Sequence, residues 1–264
     1  MNKITMKGFK SFMNLEDFEL KRFNILIGNC GSGKSNFLSA FRLLKTEGVD
    51  NLPHFDSKSL EFKFLKGGKT CRIKMSFEKD SIDVLRNVKS WKFLNDDPLE
   101  ISYLYSLAIN HPQEYKTLVD FVYSAFPYLY NGSSPVDLFE LKYYQFSSGL
   151  WRFIKVASIL LEPASLIVLD GPEAGLDPTA IGVLSELIKT TSEKTQFVMS
   201  THSPEFINQF NAEDLILVKL ENGFSTLTRL NEEKKKISQW LEHYSLGELW
   251  VKGVLSNCLH TGAK

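Results

Sequence analysis

Residues 28–36 read "GNCGSGKSN", a combination of types and spacing that can bind phosphate groups. In the pattern GxxxxGK[ST], successive backbone N–H groups surround the phosphates, the lysine reaches their terminal oxygens and the serine holds Mg²⁺. The predicted binding residues are Gly28, Asn29, Cys30, Gly31, Ser32, Gly33, Lys34, Ser35 and Asn36. The stretch therefore predicts a P-loop that binds a nucleoside triphosphate with Mg²⁺.

The flanking segments have the character that a P-loop requires. "FNILIG" before the loop is apolar and β-prone, which predicts a strand. After the loop, "SNFLSAFRLLK" places Phe37, Phe41 and Leu44 at i, i+4 and i+7, the spacing of an amphipathic helix whose N-terminus favours phosphate. This strand–loop–helix context favours a P-loop over a chance glycine-rich turn.

Two later segments predict further chemistry at the ends of strands. "LIVLD" delivers Asp170 at the carboxyl end of a buried strand, where it can hold Mg²⁺ through water opposite Ser35. "STHSPE" follows a second apolar strand, and its His202 can reach the γ-phosphate. A histidine after a strand is more often structural, but its place after these two motifs favours the functional interpretation.

Strand and helix patterns alternate from residue 145 onward, which predicts an α/β fold with a largely parallel sheet covered by helices. The N-terminal strands and a hairpin around Gly67 and Gly68 indicate an N-terminal β subdomain. Residues 80–144 predict a helical, lid-like insertion within a single domain, 1–264. That insertion holds most of the tyrosines, which fit either core packing or a partner-binding surface.

Composition limits the class of protein. The chain has 264 residues, is 43% hydrophobic and 23% charged, and has a formal net charge of zero, so any nucleic-acid contact must come from a local patch. Its three cysteines form no CxxC pair, which argues against a disulfide framework or structural zinc. Without a signal peptide or an apolar run near the ~20 residues of a membrane span, we expect a cytoplasmic protein with no membrane partner.

The order of the motifs is more specific than any one of them. GxxxxGKS, "FSSGLWRF", "LIVLD", "GPEAGLDP" and "STHSPEFI" resemble an ABC-type ATPase head, and the opening "ITMKGFKSF" and late "YSLGELW" resemble the RecF/SMC-like and OLD-like predicted ATPases of bacteria. The resemblance implies a P-loop NTPase fold, ATP and Mg²⁺ as cofactors, and a homodimer that sandwiches two ATP molecules. It also implies that Ser147, Ser148 and Gly149, which precede a helix, contact the other head's ATP, and that Asp177 couples the two sites. The alternative for Ser147 is a plain helix N-cap.

One departure from that family concerns catalysis. ABC-type heads usually follow the aspartate with a glutamate that activates water, whereas this chain has Gly171, and losing a general base costs about 10²–10⁴ in rate. Glu173 is the candidate substitute, but it would lie about 6–7 Å away if the chain continued extended. We therefore expect an ATPase with slow turnover, or alternatively an ATP-dependent clamp or scaffold. Cys30 replaces a usual asparagine, a change that a backbone cradle tolerates.

The resemblance also bears on partners. With no long coiled coil between Lys34 and Asp170 and no nuclease region, we expect a separately encoded effector that acts on DNA in repair or anti-phage defence. DNA contact is a candidate role for basic residues near the start and the hairpin, although they equally fit a solvated sheet face: Lys7, Lys10, Lys63, Lys66, Lys69, Arg72 and Lys74. A transporter-type ATPase subunit is a further alternative, disfavoured by the opening and late motifs and the lack of a clear LSGGQ.

Overall fold

The computed structural model describes residues 3–45, 59–66, 69–76, 91–94, 101–131, 134–135, 138, 147–230 and 234–257. Its strands are β1 (Lys3–Phe9), β2 (Phe12–Glu19), β3 (Phe23–Ile27), β4 (Ser59–Lys66), β5 (Lys69–Ser76), β6 (Trp91–Phe93), β7 (Tyr130–Asn131), β8 (Ser134–Pro135), β9 (Leu166–Asp170), β10 (Gln196–Ser200), β11 (Leu215–Glu221) and β12 (Phe224–Arg229). Its helices are α1 (Lys34–Lys45), α2 (Ile101–Asn110), α3 (Pro112–Ala125), α4 (Ser148–Leu161), α5 (Pro178–Thr191), α6 (Pro204–Ile207), α7 (Lys234–Leu241), α8 (Leu246–Val251) and α9 (Val254–Asn257).

The central sheet brings strands from both ends of the chain together. In the described part of the chain it has six strands in the order β12-β11-β3-β10-β9-β6, all parallel to their neighbours except the antiparallel edge strand β12. The inner strands are apolar on both faces, as strands covered by helices on each side must be. The α/β class is confirmed, and the carboxyl ends of β3, β9 and β10 meet at one edge.

Helices cover the two faces of this sheet with separate apolar clusters. On one face, the fully buried Phe37 and Phe41 of α1 pack with Val198 of β10. On the other, Phe153 of α4 and Leu184 of α5 belong to the cluster that covers the opposite sides of the same strands. Because each face is buried, the strand ends are held rigidly beneath the loops that follow them. No described helix reaches the length and apolar character that a bilayer crossing requires.

The N-terminal β subdomain forms an antiparallel sheet in the order β2-β1-β4-β5. Lys66 pairs with Lys69, so the predicted hairpin is confirmed, while Gly67 and Gly68 themselves lie outside the described residues. Ile4 and Met6 of β1 are fully buried in the cluster that also contains α1. The small sheet therefore packs on the P-loop helix.

The segment 80–144 contains the expected helices α2 and α3, and Leu118 and Val122 of α3 are buried as their spacing predicts. It is not helical throughout, because Trp91–Phe93 forms the edge strand β6, parallel to β9. A three-residue strand takes its pairing from the sheet rather than from its own periodicity, so no pattern indicated it. That the segment acts as a lid stays a prediction.

Two predictions about aromatic residues have mixed outcomes. Tyr115 and Tyr123 pack partly against the core, whereas Tyr105 and Tyr128 are 50% and 69% exposed. Some of the tyrosines thus contribute to the core and others lie on the surface. The segment "EEKKKISQWLEHY" predicts a last helix with Ile237, Trp240, Leu241 and Tyr244 on one apolar face. Ile237 is buried and Leu241 and Tyr244 pack partly against the core, although α7 already ends at Leu241. Trp240 is 45% exposed, and its ring is tilted against that of Tyr244 with 6.2 Å between the centroids.

Candidate functional site

The P-loop connects β3 to α1 and is tightly enclosed. A Cβ added at Gly28 would lie 2.3 Å from the Val218 carbonyl oxygen, and one at Gly33 would lie 2.1 Å from Ser225 Oγ. Gly33 has a φ of +107°, which side-chain-bearing residues rarely adopt. The neighbouring atoms leave no room for a side chain at either position, so both positions require glycine, as the sequence pattern predicts.

Lys34 begins α1 and lies over the loop that precedes it. Its Nζ donates hydrogen bonds to the Gly28 and Asn29 carbonyl oxygens at 2.7 and 2.9 Å, which curls the loop into a cradle. Burial lowers the pKa of Lys34 below its usual value, while the charges of Cys30 and Asp170 oppose that shift. The lysine is thus held beside the carboxylate at the end of β9.

Two serines that the sequence analysis missed hold the cradle in shape. Ser225 of β12 donates through Oγ to the Ser32 carbonyl oxygen at 2.7 Å, and its backbone N–H donates to the Ser11 carbonyl oxygen at 2.7 Å. Asn36 Nδ2 donates to Ser11 Oγ at 2.9 Å. Ser11 lies in the opening motif "ITMKGFKSF", which could have marked it as a functional residue. Ser225 lies in no motif that could have done so.

Asp170 and His202 reach the same sheet edge. Asp170 pairs with Ser200 across β9 and β10, and its Oδ1 accepts a hydrogen bond from Ser200 Oγ. Burial, followed by the positive charge of Lys34, lowers the pKa of His202 below its usual value, while Asp170 acts to raise it. The imidazole, the ammonium and the carboxylate are therefore close enough to influence one another.

The chain does not continue extended after Asp170, which corrects the estimated position of Glu173. Gly171 adopts a φ of +54°, its N–H donates to the Ser200 carbonyl oxygen at 3.0 Å, and Ala174 N–H donates back to the Gly171 carbonyl oxygen at 3.1 Å. This turn folds Glu173 back beside β10, where its Oε1 accepts from Thr201 Oγ1 at 2.5 Å. Gly171 itself was the missing signal, because glycine adopts a positive φ without strain and so favours such a reversal of the chain.

A cavity of about 520 Å³ lies beyond this turn. Asp170, Glu173, His202 and Glu205 all line it, together with the residues of the "GLDP" loop. None of the residues 28–36 of the phosphate cradle lines it. Burial raises the pKa of Glu173 above its usual value, and hydrogen bonds and the charge of Arg152 only oppose that rise.

The predicted signature residues lie at a helix N-terminus. Ser147 is the N-cap of α4, with its Oγ accepting from Leu150 N–H at 3.1 Å, so the cap interpretation is confirmed. Asp177 caps α5 in the same way, accepting from Ala180 N–H at 3.0 Å. Gly149 joins the two, because a Cβ there would lie 2.3 Å from the Gly175 carbonyl oxygen. Ser147, Ser148 and Asp177 are exposed, so their polar groups face outward from this head.

Arg152, also missed from sequence, ties α4 to the turn after β9. Its guanidinium donates to the carbonyl oxygens of Asp170 and Gly171, each at 2.8 Å. A basic residue within the apolar pattern of "SSGLWRF" was an available signal. The signature helix and the Asp170 turn are thus directly bonded within one head.

The arrangement fits a magnesium nucleotide. Ser32 Oγ is buried and finds no hydrogen-bond partner in the described part of the chain, as a group awaiting a phosphate oxygen would be. Ser35 is exposed in the first turn of α1, and the oxygens of Ser35 and Asp170 are the ligand type that Mg²⁺ prefers. When bound, Mg²⁺ would neutralise charge on the β- and γ-phosphates.

Comparisons with known proteins agree with this geometry. A family model described as "AAA domain" matches residues 3–134, half of the chain, and a second, described as "AAA domain, putative AbiEii toxin, Type IV TA system", matches residues 85–208. The chain belongs to the RecF/SMC-like ABC-type ATPase heads. The members of that group are ATP-binding ATPases.

Among curated relatives, the head is 27% identical to the energy-coupling factor transporter ATP-binding protein EcfA2 of Mycoplasmoides gallisepticum (strain R(low / passage 15 / clone 2)). That alignment covers 76% of this chain and only 62% of the relative, so the chain spans about three fifths of the relative's length. It is 25% identical to the EcfA2 protein of Staphylococcus aureus (strain USA300), over 88% of this chain and 78% of that protein.

Solved structures share the fold at lower identity. The SMC head domain from Thermotoga maritima is 19% identical with a TM-score of 0.58, covering 86% of this chain and 98% of that one. An Smc head bound to the C-winged helix domain of ScpA is 18% identical with a TM-score of 0.59, covering 89% and 99%. An ATP-binding subunit of an ABC transporter is 20% identical with a TM-score of 0.52, covering 95% and 99%.

Proposed function

We propose that this head hydrolyses ATP, homodimerises around two Mg-ATP molecules and regulates a separately encoded effector that acts on DNA in repair or anti-phage defence. The observation that carries the proposal is the convergence of the cradle at Gly28–Asn36, Asp170 and His202 on one sheet edge. Lys34 and the loop amides would neutralise the β- and γ-phosphates, and His202 would contact the γ-phosphate. The match to a toxin-associated AAA model supports the defence half of this proposal.

The dimer is supported by the signature segment. The N-termini of α4 and α5 adjoin at Gly149, beside their exposed caps Ser147 and Asp177, and the first turn of α4, capped by a neutral serine, offers partial positive charge at the surface of the head. Such a surface favours an anion supplied by another molecule. A second head, offering its bound triphosphate, is the occupant that the resemblance implies for Ser147–Gly149.

Turnover and ATP-dependent dimerisation of the purified protein test this proposal. Lys34→Ala is expected to abolish nucleotide binding and, with it, both activities. Ser147→Gly is the sharper variant, because glycine caps a helix almost as well as serine, within a few tenths of a kcal/mol, but has no hydroxyl to offer a partner. It should fold normally, bind ATP and fail to dimerise; ATP-dependent dimers of normal affinity would contradict the sandwich.

A second candidate function rests on Gly171. With no glutamate directly after Asp170, ATP could lock the dimer as a long-lived clamp or scaffold in which turnover is incidental. Gly171→Glu discriminates between the two. A Cβ at this position meets only Ala174 Cβ, at 4.0 Å, but the φ of +54° strains any residue with a side chain, so Gly171→Gln, which adds the strain without a carboxylate, is the matched control. Slow wild-type turnover that the glutamate restores supports the clamp, and fast wild-type turnover excludes it.

The proposed contact with DNA rests on the basic residues of the N-terminal β subdomain. Lys7 forms an ion pair with Glu16, and Lys10 donates to Ser39 Oγ at 2.7 Å, so two of the seven basic candidates have partners. The side chains of the other five lie outside the described residues. A shift assay with duplex DNA at two salt concentrations tests it, because phosphate contacts weaken steeply as salt rises. Cytoplasmic location stays a prediction.

A further inference from the structure

Glu173 carries a buried carboxylate, only one oxygen of which has a hydrogen-bond partner among the described residues. Its side chain is 7% exposed, and Oε1 accepts the hydrogen bond from Thr201 Oγ1. Oε2 is buried and has no hydrogen-bond partner among the described residues. Burying a charge-bearing oxygen without a partner is costly, so such a group calls for a ligand or a function.

The surroundings of Glu173 favour a role in the reaction. Thr201 Oγ1 also accepts from Ser203 N–H at 2.9 Å, which fixes the hydroxyl that holds the carboxylate. Glu173 lines the same cavity as Asp170 and His202, the groups assigned to the magnesium and the γ-phosphate. Glu173 follows Asp170 by three positions, and the turn at Gly171 therefore brings its carboxylate back to the edge of the sheet where Asp170 and His202 lie.

We propose that Glu173 orients and deprotonates the attacking water, in place of the glutamate that ABC-type heads usually carry at the position of Gly171. This inference rests on the proposed ATPase function. Oε2 takes one proton from the water, and the water oxygen bonds to the γ-phosphorus. The bond from the γ-phosphorus to the β–γ bridging oxygen breaks, its electron pair leaves with ADP, and the carboxylic acid returns its proton to the phosphate product.

The charged groups around Glu173 set the expected pH dependence. Arg152 of α4 favours the ionised carboxylate, Asp170 and Glu205 of the cavity wall add negative charge, and His202 adjoins it on the chain segment after β10. Burial is the largest influence and raises the pKa of Glu173. A base must be ionised to accept a proton, so kcat should rise with pH at a higher pH than an exposed glutamate would produce.

Glu173→Gln tests the inference, with Glu205→Gln as the matched control. Both carboxylates line one cavity, but Glu205 is exposed, and its Oε2 accepts a hydrogen bond from Ser203 Oγ at 3.0 Å. We expect Glu173→Gln to lower kcat by about 10²-fold or more with ATP affinity unchanged, as loss of a general base does. Glu205→Gln should keep wild-type turnover.

The outcomes separate this inference from the function on which it rests. A wild type that binds no ATP, or that binds ATP without turnover, refutes the ATPase proposal itself and the inference with it. A Glu173→Gln protein with full turnover overturns only the role of Glu173. If Glu173→Gln does not fold, Glu173→Asp replaces it: reduced kcat with a displaced acid limb supports the inference, and an unchanged pH profile overturns it.

Discussion

The contact between Gly149 and Gly175 allows a sharp test of how the signature helix packs on the "GLDP" loop. An alanine Cβ at Gly149 would lie 2.3 Å from the Gly175 carbonyl oxygen and 3.2 Å from its carbon. Backbone atoms cannot rotate away as a side chain can, so α4 or the loop must move. Gly182, in the middle of α5, is the matched control, because nothing lies within 4 Å of a Cβ placed there.

The two substitutions should move stability in opposite directions. Gly182→Ala gains helix propensity without a clash and should stabilise the fold by about 0.5–1 kcal/mol. Gly149→Ala carries an overpacking cost of about 1–3 kcal/mol, which outweighs a similar propensity gain and leaves a net loss of about 1–2 kcal/mol. At a few degrees per kcal/mol for a domain of this size, Tm values of the two variants should differ by about 4–10 °C.

Differential scanning calorimetry of the two purified variants at equal concentration measures that difference. Equal Tm values would refute the reasoning, since they would mean that residue 149 has room for a methyl group. A Gly149→Ala protein that is destabilised but still dimerises with ATP would show that the contact is structural and that the signature surface tolerates the shift.

Two further predictions concern the site itself. The folded state raises the pKa of Glu173, so it binds a proton more tightly than the unfolded chain does, and stability falls as pH rises above the usual glutamate value of about 4.3. Glu173→Gln should remove this loss, so that the free energy of unfolding in urea of the variant, relative to wild type, is higher at pH 8 than at pH 4; the same difference at both pH values would contradict it. Cys30 is an exposed free thiol in the cradle, so a maleimide should label it, block ATP binding, and be excluded by bound ATP. Cys30→Asn should bind ATP and resist the inhibition, and an inhibition that persists in this variant would place the reactive thiol elsewhere.

Much of the site was predictable because its motifs are local. The P-loop, the strand ending in Asp170 and the cap at Ser147 each depend on residues a few positions apart, so spacing alone predicted them. The hydrogen bond from Ser225 to the Ser32 carbonyl oxygen was not predictable, since it joins β12 to the P-loop, which lies 193 positions earlier. Nothing in a single hydroxyl signals such a distant contact.

The position of Glu173 shows a different limit. The distance of Glu173 from the edge of the sheet that carries Asp170 depends on the backbone dihedrals of Gly171. The spacing in the sequence predicts that distance only if the chain is extended, and here it is not. The glycine that removes the usual catalytic side chain also permits the turn that returns Glu173 to the cavity. One residue therefore had two opposing consequences, of which only the first was visible from sequence.

The location of β3 has a consequence for how the protein is made. β3 leaves the ribosome well before its two neighbours in the sheet, β10 and β11, because both lie far downstream of it in the sequence. Until then an apolar strand with two unpaired edges remains exposed, a state prone to aggregation. Biosynthesis of this head should thus depend on chaperones that shield nascent chains, and truncations that remove β11 should yield insoluble product rather than a smaller nucleotide-binding fragment.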